Sequence, residues 1–203
     1  MRSLYDFIVE PIGDKYNNKI KVEDKDLVLN SKIESFKFVN RQAIVIAKPL
    51  AFETNINIGD TIPNIEFQFR EGDTRPEQGT CPMGGKFVTK SSNDIFANKR
   101  VIIFSLPGAF TPTCSTHQLP GFDQNFETFK KEGIDEIFVV SVNDAFVMNA
   151  WSIDCAIKNI KTIPDGNGEF TSAMGMSVAK SNLGFGQRSW RYAAIINNCK
   201  IEK

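Results

Sequence analysis

The sequence predicts an α/β fold, a central sheet with helices covering both faces. Three observations carry this. The run Val101-Ile102-Ile103-Phe104-Ser105-Leu106 is apolar and rich in β-branched residues, the pattern of a strand buried on both faces. A second such run, Ile137 to Val142, follows a stretch in which Phe122, Phe126 and Phe129 recur at helical spacing. A further helical stripe, Phe146, Ala150, Ile153 and Ile157, separates that run from the short strand pattern Ile160 to Ile163. Strands and helices that alternate in this way bury a sheet between two layers.

The other elements follow in chain order. Leu4 to Val9, Leu27 to Leu29 and Ala43 to Ala47 are strand-like, so residues 1–54 read as a β-rich extension before a domain at 55–203. Ile65 to Phe69 alternates as a strand, and Glu71 to Gly85, with its glycines and prolines, reads as a loop. Ser91 or Ser92 caps a short helix ending near Ala97. Asn143 or Asp144 caps the helix after the second core strand. Pro164 to Gly168 is a turn, Phe170 to Met176 a short helix, and Tyr192 to Asn197 a last strand.

Composition excludes some function classes. The chain has 203 residues, with 24 Lys and Arg against 24 Asp and Glu, so it lacks the basic excess of a nucleic-acid binder. No apolar stretch is long enough to span a bilayer, and Met1 to Glu10 lacks the apolar core of a signal peptide. The four cysteines stand far apart with no Cys-x-x-Cys pair, which gives no support to a zinc site and suits a reducing compartment. No cofactor and no metal is expected. The expected location is the cytoplasm, with organellar targeting by the N-terminal extension left open.

The chemistry concentrates at Pro107-Gly108-Ala109-Phe110-Thr111-Pro112-Thr113-Cys114. Pro107 and Gly108 end the core strand, and the helical pattern after Cys114 puts that cysteine in a first helical turn. There the unpaired backbone N–H groups favour negative charge, hence the thiolate, which is the nucleophilic form of cysteine. Thr111 places a hydroxyl one turn before it.

The pattern Pro107, Thr111, Cys114 resembles the active-site signature of the peroxiredoxins, thiol peroxidases on a thioredoxin-like fold. Further blocks extend the resemblance to the atypical type II, peroxiredoxin-5-like branch. They are Gly59 to Pro63, Pro107 to Phe122, Ser141 to Val147, Asp165 to Gly168 and Arg188 to Ile196, in that family's order from about residue 55 onward. The resemblance implies a central mixed sheet flanked by helices and a thiol-dependent peroxidase. It implies reduction of hydrogen peroxide and alkyl hydroperoxides through a cysteine sulfenic acid at Cys114. Thr111 would hold the peroxide by accepting its hydrogen bond, or donate to the thiolate. Pro107 would shield the thiolate, and Arg191 would supply a cation beside it, with Arg188 as the rival three residues earlier. The alternative is a non-enzymatic redox sensor or interaction module.

His117 invites a Cys-His protease reading, but it lies within one helical turn of Cys114 and is read as a surface or dimer-contact residue. Cys155 lies beside a helical apolar stripe and reads as core, and neither Cys81 nor Cys199 matches the family's resolving position. The simplest reading is a one-cysteine cycle, with glutathione and glutaredoxin, or thioredoxin, as reductant, and resolution by Cys81, Cys155 or Cys199 is left open. The branch implies a homodimer, for which Phe110, Phe122 and Phe146 are candidate contacts unless they are core. The ends depart from the family. Family members continue past the strand Tyr192 to Asn197, so the domain is expected to be truncated, with a bare sheet edge. Residues 1–54 faintly resemble a co-chaperonin-type β-barrel.

Overall fold

A computed structural model of the chain describes residues 56–73, 84–203 and four short strands before them. The chain divides into two compact units, Met1–Glu53 and Thr54–Lys203. In the first, β1 (Ile8–Pro11) pairs antiparallel with β4 (Ala43–Ala47), and β2 (Lys19–Val22) pairs antiparallel with β3 (Lys25–Val28). The segment Lys19–Val22 was not legible as a strand because its lysines break the apolar pattern. Leu4 to Phe7, Leu29 and Cys81 lie outside the described residues.

The second unit is built on a five-stranded sheet in the order β13-β12-β7-β8-β9. Its members are β7 (Arg100–Ser105), β8 (Glu136–Ser141), β9 (Ile160–Pro164), β12 (Tyr192–Asn197) and β13 (Lys200–Ile201). β7, β8 and β9 run parallel, whereas β12 is antiparallel to β7 and to β13.

Period-two alternation along β7 and β8 sorts their side chains to two cores. Val101, Ile103, Phe138 and Val140 face one layer with Phe67, Phe96, Phe170 and Met174. Ile102, Phe104, Ile137 and Val139 face the other with Leu119, Met148, Trp151 and Cys114. Both faces are therefore apolar, which is why these strands read as unbroken hydrophobic runs.

The first layer comes from a hairpin of β5 (Glu66–Glu71) and β6 (Lys86–Ser91) with helices α1 (Ser92–Phe96) and α5 (Glu169–Ala173). Ser91 caps α1 in a reciprocal box with Asp94. The strand Lys86–Ser91 is a second element the sequence pattern did not reveal. None of its six residues is buried, so no apolar stripe marks it.

The second layer comes from α2 (Leu119–Gln124), α3 (Phe126–Lys131) and α4 (Ala145–Asp154). Phe122 stacks on Phe104 with ring centroids 4.0 Å apart and planes 8° from parallel, so it belongs to the core. The edge beyond β12 is not bare. β13 pairs with it, Thr61 bridges Lys200, and the amides of Gly59 and Ile62 donate to the carbonyls of Ile201 and Cys199.

Candidate active site

β7 carries the chain into a loop, and a helix opens at Pro112. Proline suits a first helical position because its fixed φ is helical and no N–H is needed there. The Thr111 carbonyl accepts the first helical bond, from Ser115 N–H at 3.0 Å, so Thr111 is the residue before the helix and Cys114 lies in its first turn. From Cys114 to Gln118 the turn widens to π geometry, with Leu119 N–H donating to the Cys114 carbonyl. Pro120 follows. It has no N–H for an α-helical bond and its ring would crowd the carbonyl four residues back, which the wider turn relieves.

Cys114 is 1% exposed and sits in the apolar layer with Leu106, Leu119, Met148 and Trp151. The sheet register brings its partner. Tyr192 pairs with Ser105 at the end of β7, so Arg191, one residue before β12, enters beside the loop that leaves β7. Arg191 Nη1 and Nη2 each lie 3.6 Å from Cys114 Sγ. The planar, permanently charged guanidinium thus turns both of its terminal nitrogens to the sulfur.

Two neighbours fix this pair. Gln118, one turn after Cys114, accepts a hydrogen bond from Arg191 Nη1 through Oε1, and its Nε2 donates to the Ser105 carbonyl at 3.3 Å. Trp151 Nε1 donates to Ser115 Oγ at 2.9 Å, tying the turn that carries Cys114 to α4. The Thr111 hydroxyl donates to the Gly108 carbonyl at 2.9 Å, which commits its proton and leaves its lone pairs free to accept. Of the two expected roles of Thr111, this geometry suits accepting from a peroxide and not donating to the sulfur.

The fold thus brings together Cys114 and Arg191, with Thr111 one turn before the sulfur. Pro107 is half-buried at the start of the loop. Arg188, on β11 (Gln187–Ser189), which pairs antiparallel with β10 (Ser177–Ala179), donates to carbonyls instead, Nη1 to Val142 at 2.7 Å and Nε to Phe185 at 2.9 Å. His117 is exposed and hydrogen-bonds its neighbour Thr116. Sequence reasoning missed Gln118, although its spacing of one turn from Cys114 is a usable signal. It also missed Asn143. Asp144 caps α4 by accepting Val147 N–H at 2.9 Å, while the Asn143 side chain turns to the active-site loop and accepts Ala109 N–H at 3.0 Å.

Cys155 and Cys199 are half-buried against the two cores. Burial pushes the Cys155 thiol up from its ordinary value, with Asp154 adding to the shift, and burial does the same to Cys199. Among the described residues, no group of three or more His, Cys, Asp or Glu side chains is placed to hold a metal ion.

Comparison with known proteins decides the family. The Redoxin family model matches residues 57–203. The chain belongs to the Redoxin family. It is 57% identical over 141 residues to a peroxiredoxin of Rhizobium etli, covering 70% of this chain and 77% of that one. It is 51% identical over 145 residues to the hybrid peroxiredoxin hyPrx5 of Haemophilus influenzae, covering 71% of this chain and 55% of that one. The crystal structure of peroxiredoxin 5 from Alvinella pompejana superposes with a TM-score of 0.60 at 32% identity, over 73% of this chain and 87% of that one. These relatives place the chain on the peroxiredoxin-5-like branch, and its helix-flanked mixed sheet is the thioredoxin-like fold. Its activity is that of a thiol-dependent peroxidase; the non-enzymatic reading is not favoured.

Proposed function

We propose that Cys114 is the peroxidatic nucleophile, that Thr111 and Arg191 align and activate the peroxide, and that Pro107 limits access of water to the sulfur. One observation carries the reading: both terminal nitrogens of Arg191 stand 3.6 Å from a sulfur that is 1% exposed. The thiolate attacks one peroxide oxygen along the O–O axis. The S–O bond forms as the O–O bond breaks, and the departing oxygen leaves as water or an alcohol after taking a proton. Sulfur is oxidised to the sulfenic acid and the peroxide is reduced. Thr111 Oγ, its own proton held by Gly108, accepts from the peroxide O–H and sets its angle of approach. Arg191 is fixed in advance and faces the charge that builds on the departing oxygen.

An external thiol closes the cycle. Burial holds the thiols of Cys155 and Cys199 above their ordinary values, which lowers the thiolate fraction needed to attack a sulfenic acid. Glutathione with glutaredoxin, or thioredoxin, fits this role. A cycle that must return to a free thiol suits a reducing compartment, and we infer the cytoplasm, with organellar targeting left open. Peroxide consumption driven by glutathione and glutaredoxin, compared with Cys114→Ser, tests the reading: turnover is expected to vanish in the variant. Equal turnover in the two proteins would overturn it.

The assembly we infer is a homodimer. Phe110 and Phe146 are 52% and 39% exposed, whereas Phe122 is taken up by the core, so the contact area rests on the first two. Light scattering across micromolar concentrations is expected to give twice the chain mass of 22.7 kDa.

A further inference from the structure

The loop that presents Thr111 does not hold its own shape. Phe110, next to Thr111, has φ of 60°, a left-handed conformation that a bulky side chain adopts at a cost, and its ring is exposed. Something outside the loop must over-determine it. The contacts that do so come from two distant segments. Asn143 Oδ1 accepts Ala109 N–H at 3.0 Å and is itself oriented by Ser141 Oγ, which donates to it at 2.8 Å. Arg188 is pinned by its bonds to the Val142 and Phe185 carbonyls. The position a Cβ would take on the buried Gly108 lies 3.6 Å from Arg188 Nη1, 3.8 Å from Asn143 Oδ1 and 3.5 Å from Thr111 Cγ2.

Gly108 is thus walled by three side chains, and its carbonyl is the acceptor that fixes the Thr111 hydroxyl. A shift of Gly108 would rotate that carbonyl and with it the lone pairs of Thr111. None of these contacts involves Cys114 Sγ. We propose that Asn143, supported by Arg188, is a positioning residue for peroxide: it holds Gly108 and Ala109 so that Thr111 presents its acceptor to the substrate. This rests on the reading of Thr111 as the peroxide acceptor. Asn143 would govern the oxygen side of the reaction and leave the nucleophilicity of the sulfur alone.

Two reactions of the same sulfur separate these effects. Iodoacetamide alkylation reads the thiolate and its access and needs no oxygen alignment, whereas sulfenate formation with hydrogen peroxide needs both. Rates of the two are measured by stopped flow and alkylation kinetics on folded protein, checked by thermal melting. Asn143→Leu removes the acceptor at similar volume and is expected to lower the ratio of peroxide rate to alkylation rate about tenfold. Asn143→Asp keeps the acceptor and is expected to restore that ratio, even where its charge slows both reactions. Thr111→Val is expected to lower the ratio by about a hundredfold. The double variant Thr111→Val with Asn143→Leu should fall no further, because the second residue acts through the first.

A wild-type ratio in Asn143→Leu, with the ratio depressed in Thr111→Val, overturns the proposal and leaves the Thr111 reading standing. An unchanged ratio in Thr111→Val overturns both. Additive losses in the double variant, or no recovery in Asn143→Asp, mean that Asn143 acts by another route and overturn the proposal. Should Asn143→Leu fail to fold, Arg188→Met carries the same test, with a depressed ratio expected and an unchanged one decisive against it.

Discussion

Arg191 reaches Cys114 across 77 residues of sequence, and both of its terminal nitrogens stop 3.6 Å from the sulfur. The approach is set by the β12–β7 register and held by Gln118. Arg191→Met is therefore expected to slow peroxide reduction by about two to three powers of ten, the loss typical of a preorganised transition-state donor. It should slow iodoacetamide alkylation of Cys114 as well, because the charge acts on the thiolate itself. Arg188→Met is expected to lose only about tenfold toward peroxide and little toward iodoacetamide, since its bonds run to carbonyls and not to the sulfur. Stopped-flow sulfenate formation ranks the two. The reverse ranking would make Arg188 the cationic partner.

Cys155 and Cys199 are expected to be dispensable for turnover. Cys155→Ser and Cys199→Ser should consume peroxide within about twofold of the parent when glutathione and glutaredoxin are supplied, because burial disfavours both thiolates. Mass spectrometry of the oxidised protein should find sulfenic acid or a mixed disulfide at Cys114. An internal disulfide to either cysteine would replace the one-cysteine cycle.

The capping box at Ser91 offers a stability test away from the chemistry. Ser91 Oγ accepts the amide of Asp94, and the Asp94 carboxylate accepts the amide of Ser91. Ser91→Ala should cost about 1 kcal/mol, and the thermal midpoint should fall by roughly 2–4 °C for a unit of this size. Its peroxidase rate constant at 25 °C should stay at the parent value. A change in rate without a change in midpoint would show that α1 is coupled to the site.

The core was legible because β7 and β8 are buried on both faces, and such strands announce themselves as apolar runs. Cys114, Thr111 and Pro107 were legible because they lie within eight consecutive residues. Arg191 needed a register across the sheet, which periodicity does not supply and family resemblance did. Asn143 was invisible for a different reason. Asn before Asp at a helix start reads as a cap, and only the fold shows that Asp144 takes that duty and frees Asn143 for the loop. Lys86–Ser91 escaped because a strand with no buried residue carries no stripe. Phe122 shows the limit of counting aromatics: its helical spacing predicts a face, not whether Phe104 or another copy of the chain covers it.

Asp165 gives the pH dependence of stability. It is 2% exposed at the end of β9, and its carboxylate accepts the amides of Phe170 at 3.1 Å and Thr171 at 2.8 Å. Burial pushes this carboxyl above its ordinary value and outweighs the hydrogen bonds that pull it down. A carboxyl raised in the folded state binds its proton more tightly there than in the unfolded chain. Its contribution is therefore fully present below the unfolded aspartate range and is lost as pH rises through the raised folded value. Glu71, Glu136 and Glu202 are held low by Lys90, by Lys161 with Lys99, and by Arg100, and they act in the opposite sense, gaining stability as pH rises through the carboxylate range. Among the described carboxyls, Asp165 is the one that titrates in the opposing sense, and Asp165→Asn removes it. At acidic pH it should be less stable than the parent by about 1 kcal/mol, having lost an acceptor. The gap should then narrow or reverse as pH rises, because the parent alone must ionise a buried group. Urea unfolding at steps between pH 4 and 7.5 measures the difference. A gap that stays constant over that range would show that Asp165 titrates at its ordinary value.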